Sequence, residues 1–295
     1  MKSILLKSTA IILLFFIGFL PEPKTFISSN RKVINDDFQG QAFYVSKSKM
    51  ELGRWGERLS EAQKKQIEAR LKNRLEKEYI LTFNKEEALF YEDEKLDAMS
   101  GATDSWGKNF SPGKQYKNVK TNAQIQNQEF YGKQFLVKDK LLDINWILGK
   151  ETKQIGNYTC FKAMASIPTN ELAWYDFSWN RLGNSNNDSE KQIDSTNTTT
   201  EDKPSVDMTE VEAWYSPQVP VGHGPLEYWG LPGLILEVSA GNTIMLCTKI
   251  VLNPKEKLEI VAPDKGKEIT KAEYQKTIVE KMKEFRNNRM GRQRG

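Results

Sequence analysis

Histidine and cysteine are almost missing from this 295-residue chain, which has one His, at position 223, and two Cys, at 160 and 247. Zinc, iron–sulfur and blue-copper centres each need several such ligands, so no resident metal or other cofactor is expected. No phosphate-cradling P-loop and no dinucleotide fingerprint occurs. No G-x-S-x-G elbow accompanies His223, the only imidazole a serine triad could use. Charge of one sign is also scarce. Lys and Arg number 43 against 39 Asp and Glu, a net of +4. That small excess is not the basic stripe of a nucleic-acid binder. With 38% hydrophobic and 28% charged residues, the composition is that of an ordinary globular protein.

One apolar run is present and it stands at the start. Lys2 and Lys7 precede Ala10–Leu20 (AIILLFFIGFL), and Pro21 and Pro23 end the run. Such a run suits a signal-peptide core and is too short for the roughly 20 residues that span a bilayer. Residues 1–22 therefore read as a secretory signal peptide without a clear cleavage motif. The alternative is a membrane anchor, which the absence of a second apolar stretch disfavours. Export gives the cysteine pair a meaning. Cys160 and Cys247 lie in strand-like runs, and an oxidising compartment predicts a disulfide between them. The alternative is two buried thiols.

The rest of the chain predicts a mainly β fold with accessory helices, a single antiparallel curved sheet or open half-barrel. Short runs rich in Ile, Val, Tyr, Phe and Thr mark strands at Gln41–Lys47, Tyr79–Asn84, Ala88–Glu92, Ile125–Tyr131, Gln134–Lys138, Asn157–Ile167, Val211–Tyr215, Leu234–Ser239, Thr243–Val251 and Leu258–Val261. Hairpin turns are expected near Asn84–Lys85 and at Ala240–Asn242, where Gly241 can take positive φ. Helices are expected near 60–78 and 271–286. Ser60 with Gln63, and Thr270 with Glu273, fit the capping box. Ile67, Leu71, Leu75 and Tyr79 form one apolar stripe, and Tyr274, Ile278, Met282 and Phe285 the other. The terminal Arg286, Arg289, Arg292 and Arg294 suit a frayed solvated tail, or contact with anionic lipid or an acidic partner. Residues 183–205 hold one large apolar side chain, Ile193, and read as a disordered polar loop inside a single domain of residues 39–290.

The densest stretch is Trp214–Val238. Pro217, Pro220 and Pro225 lack amide donors, so the connection is neither a central strand nor a helix interior. Pro232-Gly233 fits the centre of a type II turn, with Gly233 at positive φ. Gly230, Leu231, Pro232, Gly233, Leu234 and Ile235 thus form a rigid corner that feeds a strand into the sheet. Trp214, Tyr215, Tyr228 and Trp229 surround it as candidate contacts for a ligand or partner, with core packing as the alternative.

With GLPGLI at 230–235, Trp214-Tyr215 before it, Ile155–Ala163 (IGNYTCFKA) upstream and Cys247–Ile250 (CTKI) downstream, the chain resembles the GLPGLI family of exported Bacteroidetes proteins. The resemblance implies export to the periplasm, the outer membrane or the medium, and no established activity. The pattern of strands with an N-terminal helix is also similar to the curved half-barrel of lipoprotein carriers. Asp194-Ser195-Thr196 is similar to a short O-glycosylation acceptor motif. Three functions stay open. The first is a non-enzymatic interaction module docking an envelope or outer-membrane protein. The second is a carrier of lipid or another apolar ligand. The third, ranked last, is a carboxylate-dependent hydrolase using Glu227 or His223. For Glu227 the plain expectation is a solvent-facing loop residue, and for Glu237 the polar side of an alternating strand. No nucleic acid, metal or integral-membrane role is expected.

Overall fold

In the computed structural model, residues 38–49, 58–93, 112–172, 174 and 207–291 are described. All belong to one unit, Asp37–Gly295. The signal-peptide segment 1–22, the polar loop 183–205 with its Asp194-Ser195-Thr196, and the side chain of Arg289 with Arg292 and Arg294 lie outside the described residues.

The described chain is mainly β. Its strands are β1 (Gln39–Ser48), β2 (Glu76–Asn84), β3 (Glu87–Glu92), β4 (Gln115–Asn118), β5 (Ala123–Phe130), β6 (Lys133–Asp139), β7 (Ile147–Ile155), β8 (Tyr158–Pro168), β9 (Met208–Ser216), β10 (Leu234–Ala240), β11 (Thr243–Leu252) and β12 (Lys267–Ile269). Its helices are α1 (Glu61–Leu75), α2 (Thr169–Leu172) and α3 (Lys271–Gly291). One sheet takes all twelve strands in the order β12-β6-β5-β4-β3-β2-β1-β11-β10-β9-β8-β7. Neighbours are antiparallel except for β12, which runs parallel to β6. Among the described residues the sheet does not close, and β12 and β7 are its edges.

The connections force it to curl. β6 and β7 stand ten places apart in the sheet order, which in a flat sheet would separate them by about 48 Å. The chain between Asp139 and Ile147 reaches at most about 29 Å. The sheet therefore curls until β6 and β7 approach within reach of the link. In that link Leu142, Ile144 and Trp146 pack on a core cluster of Ala163, Ala165, Val211, Tyr215, Tyr228 and Ile235.

Both capping boxes form. Ser60 and Gln63 exchange hydrogen bonds, as do Thr270 and Glu273. The β10–β11 turn pairs Ala240 with Thr243 and puts Gly241 at φ 54. Several expectations need correction. α1 stops at Leu75, so Tyr79 is a buried β2 residue, not a helical one. Leu258–Val261 is not a strand. Its Leu258 amide donates to the Gln39 side chain, and Pro254 and Pro263 bracket it. β4, β7 and β12 are additional to the expected strands, because β4 is polar, β7 is largely exposed and β12 has three residues.

Candidate functional site

The segment between β9 and β10 does not stand out from the sheet. It folds back onto the sheet, burying Val219, Val221, His223, Glu227, Tyr228 and Leu231. Two prolines set tight three-residue turns, in which the amide of Val221 donates to Val219 O at 2.8 Å and that of Gly233 to Leu231 O at 2.8 Å. The fixed φ of Pro220 and Pro232 suits this geometry. The loop then pairs with β10, the amides of Leu234 and Ile235 donating to Val219 O and His223 O at 2.9 and 3.0 Å.

The corner is real, but the role expected for Gly233 is corrected. Its φ is not positive, whereas Gly230 sits at φ 90. Gly233 is required because a Cβ would lie 2.3 Å from Ser216 O. The glycine lets two backbones touch.

Beneath the loop lies a buried polar clasp. Lys117 on β4 is fully buried and donates to three loop carbonyls, Gly224 O and Leu226 O at 2.7 Å and Tyr228 O at 3.0 Å. Glu227, expected to face solvent, is 3% exposed. Its Oε1 accepts from Gln115 at 3.0 Å, Gln124 at 3.1 Å and Trp174 at 2.8 Å. Its Oε2 pairs with Lys271 Nζ at 3.3 Å, at the first turn of α3. Burial pulls the Lys117 ammonium down to about 7, while Glu227 opposes that shift and Lys271 adds to it. The site thus holds one carboxylate between two lysines, each with its partners inside the protein.

His223 is fully buried and donates from Nε2 to Asn84 O at 3.0 Å, which leaves Nδ1 without a partner. Burial, reinforced by Lys117, lowers it to about 3, so the ring is neutral. It lies beside Phe83 and is not paired with Glu227 in a catalytic arrangement. Glu237 binds Lys153 Nζ at 2.6 Å, across the strand from Trp214. Among the described residues no group of three or more His, Cys, Asp or Glu could hold a metal.

The four aromatic contact residues separate. Trp214 and Tyr215 alternate on β9 and belong to different core clusters. Lys153 Nζ stands 4.5 Å from the Trp214 ring centroid. Tyr228 joins the cluster of Tyr215. Trp229 exchanges hydrogen bonds with the β6–β7 link, its Nε1 donating to Leu142 O at 2.6 Å and its carbonyl accepting from Trp146 Nε1 at 2.8 Å. The expected disulfide is also corrected. Cys160 and Cys247 are free thiols buried in one core cluster, raised by burial to about 11 and about 12.

Lys117, Gln115, Gln124, Trp174 and Lys271 are site residues that sequence reasoning misses. One signal is available in Gln124, Gln126 and Gln128, which alternate along β5 as an uncharged polar stripe that the structure buries. An outward stripe on a surface strand more often carries charge.

A family model described as "Protein of unknown function (Porph_ging)" matches residues 146–237. No curated protein matches the chain. Two solved structures, described as "Structure of PNGF-II" in the C2 and P21 space groups, are similar at TM-scores of 0.44 and 0.43, with 13% and 12% identity. Each match covers 82% of this chain and 33% of that one, so the chain spans about a third of their length. What the chain is similar to is thus a family matched over β7 to Glu237, a stretch that contains the loop and its carboxylate.

Proposed function

We propose that the chain is an exported, non-enzymatic interaction module of the cell envelope, of the GLPGLI type found in Bacteroidetes. The observation that carries this reading is the saturation of the site. The Glu227 carboxylate already accepts three neutral donors and an ammonium, and Lys117 already serves three carbonyls. Both groups are engaged within the protein, whereas general acid–base work needs a group within hydrogen-bond reach of a substrate. The aromatic rings of the carrier reading are engaged within the protein as well, three of them buried and Trp229 bonded to the β6–β7 link. The clasp holds a rigid loop, and a rigid scaffold with apolar residues at its edge suits docking. At that edge the cross-strand pair Ile147 and Met164 is 74% and 40% exposed. Export rests on the leader-like residues 1–22, and places the module in the periplasm or at the outer membrane.

The test is native mass spectrometry of the protein purified from its own envelope, with solvent extraction and in-cell cross-linking alongside. The expected result is a chain free of small molecules and joined to a defined protein partner. A stoichiometric extractable lipid would replace this reading with the carrier. An activity abolished by Glu227→Gln in a protein that remains folded would replace it with the hydrolase.

A further inference from the structure

The glutamines around the clasp are only half paired. Gln115, Gln124 and Gln126 are 1%, 2% and 1% exposed, and no donor of the protein reaches the Oε1 atom of any of them. Most buried side-chain polar atoms have a partner, so three orphan acceptors side by side call for a source of donors. They are side by side. Gln124 and Gln126 alternate on one face of β5, and Gln115 stands opposite Gln126 on β4. Such positions place Cβ atoms about 5 Å apart across the ladder and about 7 Å apart along the strand.

Turning the amides over does not supply the donors. Gln115 and Gln124 both donate to Glu227 Oε1, and reversal would set oxygen against carboxylate. Gln126 donates to Gln128 Oε1 at 3.1 Å, and the Gly113 amide, donating to the same atom at 3.0 Å, fixes that atom as an acceptor. The neighbours across the ladders are Phe90, Val137 and Asp139, two apolar side chains and a carboxylate. Lys117, opposite Gln124, spends its three N–H groups on the loop carbonyls. Lys271 is different. Its ammonium has three N–H groups, gives one to Glu227 Oε2 and stands 5.6 Å from the Trp174 ring centroid. Its backbone amide donates to Asp139 Oδ2, which sets the start of α3 beside the row of Gln124.

We propose that ordered water is built into this seat of α3, at least two molecules that accept from Lys271 Nζ and donate to the three glutamine oxygens. Two is the minimum, because one water has two O–H groups and three oxygens are to be served. Buried waters typically make about three hydrogen bonds, to groups that are otherwise unpaired. A metal ion would also suit a set of acceptors, but here it would stand beside two buried ammoniums and a single carboxylate, where like charges repel. The proposal rests on the clasp and not on the module reading, so a bound lipid or a protein partner would leave it intact.

A high-resolution crystal structure of the full chain, with magnetic relaxation dispersion of water oxygen-17 alongside, tests it. The dispersion counts waters held for longer than the protein takes to tumble. The expected density is at least two waters about 3 Å from the glutamine oxygens, one of them also about 3 Å from Lys271 Nζ. The expected dispersion loses at least one long-lived water in Gln126→Leu. That variant removes one of the three acceptors, fills its place with methyl groups and leaves every bond to Glu227 untouched; circular dichroism checks that it folds. If it does not fold, the density of the wild type decides. Density in which Lys271 Nζ meets the glutamine oxygens directly overturns the proposal, as does a metal ion or a larger hydroxylic molecule in the place of water. An unchanged count of long-lived waters in folded Gln126→Leu overturns it as well.

Discussion

Glu227→Gln is the most informative single change, because glutamine keeps the shape and removes only the charge. The carboxylate lies 3.3 Å from Lys271 Nζ, with both side chains at least nine-tenths buried. At an effective dielectric of about 20, that attraction is worth about 5 kcal/mol before desolvation. Desolvation offsets part of it in the native protein, but removing one partner leaves the other charge buried alone, at a net cost of about 3–5 kcal/mol. Glutamine also has one acceptor end. If its oxygen serves Gln115, Gln124 and Trp174, its amide group confronts the Lys271 ammonium, donor against donor. Urea unfolding followed by tryptophan emission and far-ultraviolet circular dichroism measures the loss. Adding Lys271→Met to Glu227→Gln should recover part of the stability, with a coupling well above the about 0.5 kcal/mol expected of independent sites. A loss below about 1 kcal/mol, or strict additivity, would refute the clasp.

Three further outcomes are expected. Gly233→Ala should lower the melting temperature more than Gly230→Ala, since the first forces a Cβ to 2.3 Å from Ser216 O and the second meets nothing within 4 Å and adds only backbone strain of about 1–3 kcal/mol; the reverse order would restore the positive-φ account of Gly233. His223 is held neutral down to about 3 in the fold, while the unfolded chain protonates near 6.5. Below about pH 6.5 the unfolded state therefore binds the extra proton, and stability falls by about 1.4 kcal/mol per pH unit until about pH 3. Between pH 7 and pH 5 the wild type should thus lose about 2 kcal/mol more than His223→Gln in urea midpoints, and equal losses would contradict a neutral buried ring. Cys160 and Cys247 should resist alkylation in the native protein and both react on unfolding without reductant; two thiols that react only after reduction would restore the disulfide.

Where one face of a strand is apolar and the other polar, the sequence is readable. β1 buries Ala42 and Tyr44, β2 buries Leu81 and Phe83, and the alternation of residue types is enough to mark both as strands. The capping boxes and Gly241 are legible for a related reason, since each depends on residues within one turn. What is not legible depends on distant partners. β4 is Gln-Tyr-Lys-Asn, and nothing local says that Lys117 is buried, because the carbonyls that make burial tolerable lie more than a hundred positions away. Glu227 reads as a loop carboxylate for the same reason, its donors coming from β4, β5, Trp174 and α3. Gly233 is recognisable as indispensable, but the backbone that crowds it belongs to the end of β9.

The clasp follows from the composition of the loop it holds. Pro217, Pro220, Pro225 and Pro232 contribute carbonyls but no amide donors. A segment of this kind is short of donors, yet it is packed against the sheet and buried, where an unpaired carbonyl is costly. Lysine is the side chain that brings three donors on one atom, and Lys117 uses them on Gly224, Leu226 and Tyr228. Its charge then needs compensation, and the same loop supplies Glu227 between the second and third of those carbonyls. That carboxylate in turn recruits Lys271 and ties α3 to the sheet. Each buried polar group is thus a consequence of the one before it, starting from the prolines. The stretch matched by the family model, 146–237, contains the loop, Trp174 and Glu227, but not Lys117, Gln115, Gln124 or Lys271. A loop of this composition is therefore satisfied only within the larger unit that supplies β4, β5 and α3.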